Sequence, residues 1–219
     1  MIAVAEESGI IREVDVWVLE RACRDVAAWR RSGLDVPRVS INVSRRHMTP
    51  ELPVLVEAAL ARHGLDGASL CVEVTESAVV ADAVVAAAAL ARLRRLGVTV
   101  ALDDFGTGQS SLSQLARLPV DTVKIDMGFT QSAREDAGAQ RLLTSIVRVC
   151  QSLALPVVAE GIEDQDLAAL LSGMGGELGQ GWHFGRPQTS SLFADLVTGR
   201  PGPAVVPAMR SELAPVVLP

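Results

Sequence analysis

The chain has 219 residues, with 26 acidic against 20 basic side chains and a net charge of −6, the wrong sign for a protein that grips a nucleic-acid polymer through its whole surface. Apolar residues make up 49% and charged ones 21%, a balance that suits a globular domain with a real core and excludes a disordered chain. No apolar run reaches the roughly 18–20 residues of a membrane span, and residues 1–8, with two glutamates and no basic stretch, do not read as a secretory signal, so the expected compartment is the cytoplasm.

Taken in chain order, residues 10–31 form an amphipathic helix, with Val14, Trp17, Val18, Arg21 and Cys23 near the helical period and Gly33 as its stop. A strand follows at 39–43, a helix at 50–63 and a strand at 70–74. The spacing then predicts one long helix over 78–96, ended by Gly97, and strands at 98–103 and 122–124. A helix over 137–153 and strands at 156–159 and 178–181 complete the pattern. Residues 200–219 hold five of the eleven prolines and read as a flexible tail, leaving 1–199 as the folded domain. Strands alternating with helices mark a parallel sheet covered by helices. Cys23, Cys71 and Cys150 are few, distant and set in apolar stretches, as reduced core residues are.

All six strands end in, or run into, a polar residue: Asn42, Glu73, Asp103 with Asp104, Lys124, Glu160 and Gln180. In a βα barrel such ends converge on one mouth, where catalytic groups sit. A carboxylate at the end of a buried strand is costly unless paired or bound to metal. Four carboxylates and an amide form an oxygen-rich set of the kind Mg²⁺ or Mn²⁺ prefers, and two adjacent aspartates suit a two-metal site for displacement at phosphorus. Zinc is disfavoured, because His47, His63 and His183 lack ligand spacing and the cysteines are unpaired. Lys124 is the single lysine among the 20 basic residues, which singles it out as a compact positive charge for a water or phosphate oxygen. A barrel lyase using Lys124 as a Schiff base is a rival reading that the acidic neighbours disfavour.

Seven stretches carry a resemblance: A-E-E-S-G-I-I from Ala5, I-N-V-S from Ile41, E-V-T-E from Glu73, D-D-F-G-T-G-Q-S-S-L-S from Asp103, L-P-V-D-T-V-K-I-D from Leu118, V-V-A-E-G-I-E from Val157 and G-Q-G-W-H-F-G-R-P from Gly179. Together they resemble the EAL domain family, the cyclic di-GMP phosphodiesterases of bacterial second-messenger signalling. The resemblance implies an α/β fold of the TIM-like (β/α)₈ type and hydrolysis of cyclic di-GMP to pGpG with two Mg²⁺ or Mn²⁺ ions. It further implies Asn42, Glu73 and Asp103 as ligands of one metal, and Asp103, Asp104 and Glu160 at the second. Lys124 would help position the attacking water, and Asp104 and Glu160 would share in the chemistry. Gln180 and Arg186 would line the substrate site, and Glu76 would steady the loop at 105–113, where Gln109 and Gln114 depart from the family's usual aromatics.

The family's eponymous Glu-Ala-Leu motif, whose Glu is a metal ligand, is expected upstream of where this sequence starts, so the first barrel strands are expected to be missing from this chain. The alternative function is a catalytically inactive domain that binds cyclic di-GMP or a protein partner. A homodimer is a further possibility that the resemblance raises.

Overall fold

A computed structural model describes residues 2–36, 38–106, 112–197 and 216–217. Two helices open the chain, α1 (Ile2–Ser8) and α2 (Ile11–Arg31), followed by β1 (Val39–Val43) and α3 (Leu52–His63). Then come β2 (Leu70–Thr75), α4 (Glu76–Ala81), α5 (Ala83–Arg95), β3 (Thr99–Phe105), α6 (Leu112–Leu115) and β4 (Thr122–Ile125). The rest runs α7 (Met127–Ser132), α8 (Ala137–Ser152), β5 (Val157–Ala159), α9 (Gln165–Gly173), β6 (Leu178–Gly179), α10 (Ser190–Val197) and β7 (Val216–Val217).

Every pairing in the sheet is parallel, and the order is β6-β5-β4-β3-β2-β1-β7. Because side chains alternate along a strand, the sheet has two unlike faces. Ile41, Val72, Val74, Val100, Leu102, Val123, Ile125, Val157 and Ala159 join the main hydrophobic cluster with Leu19, Val26, Val56, Leu90 and Leu143 of the covering helices. The other face carries Ser40, Cys71, Glu73, Ala101, Asp103 and Lys124. One face of the sheet therefore supplies the stability, and the opposite face is left to small and polar residues.

The predicted helix over 78–96 is two helices. Asp82, which interrupts the apolar run, caps the second by accepting a 3.1 Å hydrogen bond from Val85 N. A short polar side chain competes for backbone donors and so starts a new helix where a continuous one would leave it unused. The sheet also gains a strand beyond the six predicted: Val216–Val217 lie beside Val39 and Ser40 of β1. The remainder of the predicted tail, 200–215 and 218–219, lies outside the described residues, as does 107–111 of the loop over 105–113. The three cysteines are buried and free, with burial pushing each thiol up to about 11. None of the described helices is long and apolar enough to cross a membrane.

Candidate active site

Register places Asn42 beside Glu73, and Glu73 beside Ala101, on the same face of β1, β2 and β3. Ala101 projects only a methyl group. That leaves room for Lys124 of β4 to cross β3 and donate a 2.7 Å hydrogen bond to Glu73 Oε2 on β2. The same ammonium lies 2.5 Å from Glu160 Oε1 and 3.2 Å from Asp103 Oδ1, the last at an angle that makes it an ion pair and not a hydrogen bond. Lys124 is 3% exposed, Glu73 1% and Asp103 8%. Burial pulls the lysine's proton affinity down, but Glu73, Asp103 and Glu160 outweigh it and hold the ammonium above the usual lysine range. An amine kept protonated in this way is no nucleophile for a carbonyl, which removes the Schiff-base reading.

Two consecutive aspartates reach one pocket through a bulge. Leu102 pairs with Val123 and Phe105 with Ile125, so Asp103 and Asp104 together face Lys124 alone. Asp104 takes the left-handed conformation, φ 56°, at a cost of about 1–2 kcal/mol for a residue with a Cβ. In a regular strand Asp104 would point away from Asp103. Here one oxygen each from Asp103, Asp104 and Glu160 lie within 4.8 Å of one another. Burial and then the Asp103 and Asp126 charges raise the proton affinity of Asp104, against the pull of Lys124. Glu160 is raised as well, by burial first, with Lys124 opposing and Asp103 and Glu73 reinforcing.

Glu160 follows β5 and is fixed by the turn after it. Gly161 has φ +69°, and a Cβ there would stand 2.2 Å from Met127 Cγ. Gln131 Nε2 also donates to Gly161 O at 2.5 Å. Gln180 is anchored on both sides, donating its N–H to Ala159 O and accepting from Ile162 N, while its buried Oε1 has no hydrogen-bond partner. Glu76 is buried in the first turn of α4, immediately after β2. Two expected residues differ from the ionic cluster in burial. Asn42 is exposed although it is in register with Glu73, and Arg186 is exposed, its guanidinium 4.8 Å over the Trp182 ring.

Asp126, two residues beyond Lys124, was not singled out by the sequence. It caps α7 through Gly128 N at 2.8 Å and its charge acts on Asp104; its place in the K-I-D triplet was the available signal. At the rim, a groove of about 460 Å³ is lined by Glu6, Glu7, Ser44, Arg45, Arg46 and Thr75, next to the ends of β1 and β2.

Whether this centre suits a metal can be judged from its unused atoms. Glu73 Oε1 is buried without a hydrogen-bond partner, and Asp103 Oδ1 has the ion pair with Lys124 but no hydrogen bond, an arrangement that costs free energy unless a further cation or donor engages them. The acidic cluster therefore fits a hard divalent cation.

Comparison with known proteins supplies the context. The family model for the EAL domain matches residues 1–187. The cyclic di-GMP phosphodiesterase PdeR of Escherichia coli is 37% identical over 193 residues, 88% of this chain and 29% of PdeR. An uncharacterized signaling protein of Caulobacter vibrioides is 39% identical over 96% of this chain and 26% of its own length. The solved phosphodiesterase PaMucR in complex with c-di-GMP superposes with a TM-score of 0.84 at 35% identity, covering 88% of this chain and 78% of that one. The chain spans about a quarter to a third of the length of the curated relatives it matches.

Proposed function

Since the chain belongs to the EAL domain family, and its parallel α/β sheet has that family's TIM-like architecture, we propose that it is a metal-dependent phosphodiesterase that hydrolyses cyclic di-GMP to pGpG. The observation that carries this reading is the cluster in which Lys124 joins Glu73, Asp103 and Glu160 while the buried Oε1 of Glu73 stays without a hydrogen-bond partner. Asn42, Glu73 and Asp103 would hold one ion, and Asp103, Asp104 and Glu160 the other, with Mg²⁺ or Mn²⁺ matching the oxygen donors. Such ions, when bound, polarise the phosphodiester and lower the pKa of water.

The chain's own groups account for the remaining work. Lys124 fixes the carboxylates and offers N–H donors towards a water or a phosphate oxygen. Glu160 and Asp104 would help hold and orient the water that adds to phosphorus; the proton released there passes to solvent, and the departing 3′ oxygen takes one in turn. Arg45 and Arg46 in the rim groove offset the substrate's negative charge. Gln180 would offer its amide to the ligand, Glu76 would support the end of β2, and Arg186 would brace Trp182, over whose ring it lies.

A second reading, binding of cyclic di-GMP without turnover, is favoured by the exposure of Asn42, an expected ligand that is not enclosed as Glu73 and Asp103 are. Incubating purified protein with cyclic di-GMP and Mg²⁺ or Mn²⁺, with chromatographic detection of pGpG, separates the two. Turnover should require the metal, and Glu160→Gln should lower kcat by roughly 10²–10⁴-fold. Saturable binding with no pGpG formed would establish the receptor instead.

A further inference from the structure

Lys124 is more completely enclosed than a residue that merely meets substrate needs to be. Its ammonium touches carboxylates from β2, β3 and the end of β5, and so ties three segments together at one point. A buried carboxylate without its cation is strongly destabilising. A compact ammonium can donate to Glu73 and Glu160 and lie within ion-pair distance of Asp103 at the same time, whereas the planar guanidinium fork fits two parallel oxygens. This accounts for a lysine at the one position of its kind in a chain that uses arginine for every other cationic side chain.

The pairing is incomplete in an informative way. Lys124 engages Glu73 through Oε2 and leaves Oε1 buried and unpartnered. Four carboxyl groups, Glu73, Asp103, Asp104 and Glu160, face this one ammonium. A divalent ion held by Asp103 and Glu160 would share their carboxylates with an ammonium now 2.5–3.2 Å away, and two cations on one oxygen set repel.

We propose that Lys124 is a built-in counter-ion that keeps the acidic strand ends assembled in the absence of metal and loosens its hold on Asp103 and Glu160 as divalent ions bind. The proposal rests on the metal-binding reading above. Lys124 thus lowers metal affinity while making the metal-free fold possible.

The single lysine supplies its own probe. The full chain is prepared with isotopically labelled lysine, so that one side-chain signal reports on Lys124, and that signal is followed in chelator and through a Mg²⁺ titration. In parallel, Mn²⁺ binding is measured by electron paramagnetic resonance, and thermal unfolding of wild type, Lys124→Met and Lys124→Arg is recorded with chelator and with saturating Mn²⁺. The expected result is a protected ammonium signal that moves saturably with Mg²⁺. In chelator, Lys124→Met should melt roughly 10 °C below wild type, regain more Tm from Mn²⁺ than wild type does, and bind Mn²⁺ more tightly. Lys124→Arg should not restore the metal-free Tm, because the planar group does not fit. Failure of the wild type to bind Mn²⁺ would overturn the metal reading and this proposal together. Mn²⁺ binding with a stationary lysine signal, or a metal-free Lys124→Met as stable as wild type, would overturn this proposal alone. Should Lys124→Met not fold under either condition, the wild-type signal decides.

Discussion

At Asp104 a single left-handed backbone dihedral brings two consecutive aspartates into one pocket. The carboxylates themselves were legible in the sequence, because a charged residue ending a run such as 98–102 stands out against its apolar neighbours. The bulge was not legible, since it exists only as a mismatch of one residue between β3 and β4 and leaves no mark in the periodicity of either. Its effect on proton affinity leads to a prediction. Asp104 and Glu160 bind protons more tightly in the folded protein than in the unfolded chain. Their contribution therefore favours folding below the ordinary carboxylate range and is lost as pH rises through the raised folded values. Metal-free protein followed by thermal unfolding across that range should lose stability as pH rises just above the ordinary carboxylate values. Asp104→Asn and Glu160→Gln should each flatten the decline, and a slope unchanged in both variants would show that neither carboxyl carries it.

The elements that place these residues are held by small local devices. The turn after β5 is the clearest, since Gly161 adopts a conformation that disfavours side chains and also lies against Met127. Gly161→Ala should cost about 1–3 kcal/mol and reduce activity by displacing Glu160. The double variant with Met127→Ala should recover only part of the loss, because it removes the collision and keeps the dihedral strain. Equal kcat and Tm in Gly161→Ala and wild type would show that Glu160 does not depend on this turn. Long helices such as α2 and α8 were readable from their apolar period. The short helices α1, α6, α7, α9 and α10 were not read, because so few turns give too little periodicity; α7 and α9 are set by caps, Asp126 on Gly128 N and Asp164 on Leu167 N.

Across the whole molecule, elements far apart in sequence meet. Trp29 of α2 donates to Ser190 O at 3.2 Å and its ring lies 4.9 Å from Phe193 of α10, while Val216–Val217 pair with β1. The parallel α/β class was visible in the alternation of strands and helices, since each crossover needs a helix to return the chain. The outermost strand was not visible, because two residues amid prolines carry no strand signal of their own. Removing residues 200–219 should therefore speed amide exchange in residues 39–43 and leave β3 and β4 protected. Unchanged exchange in 39–43 would show that the β1 edge gains nothing from the pairing.

The enclosure of Lys124 has one more consequence, for chemical modification. With its only lysine 3% exposed, the folded chain shields its one side-chain amine from acylating reagents, while its arginines still leave it open to trypsin in the unfolded state. An acyl group on Lys124, detected by mass, would mark the opening of the acidic centre to solvent. Its rate of appearance would measure how often that part of the molecule comes apart.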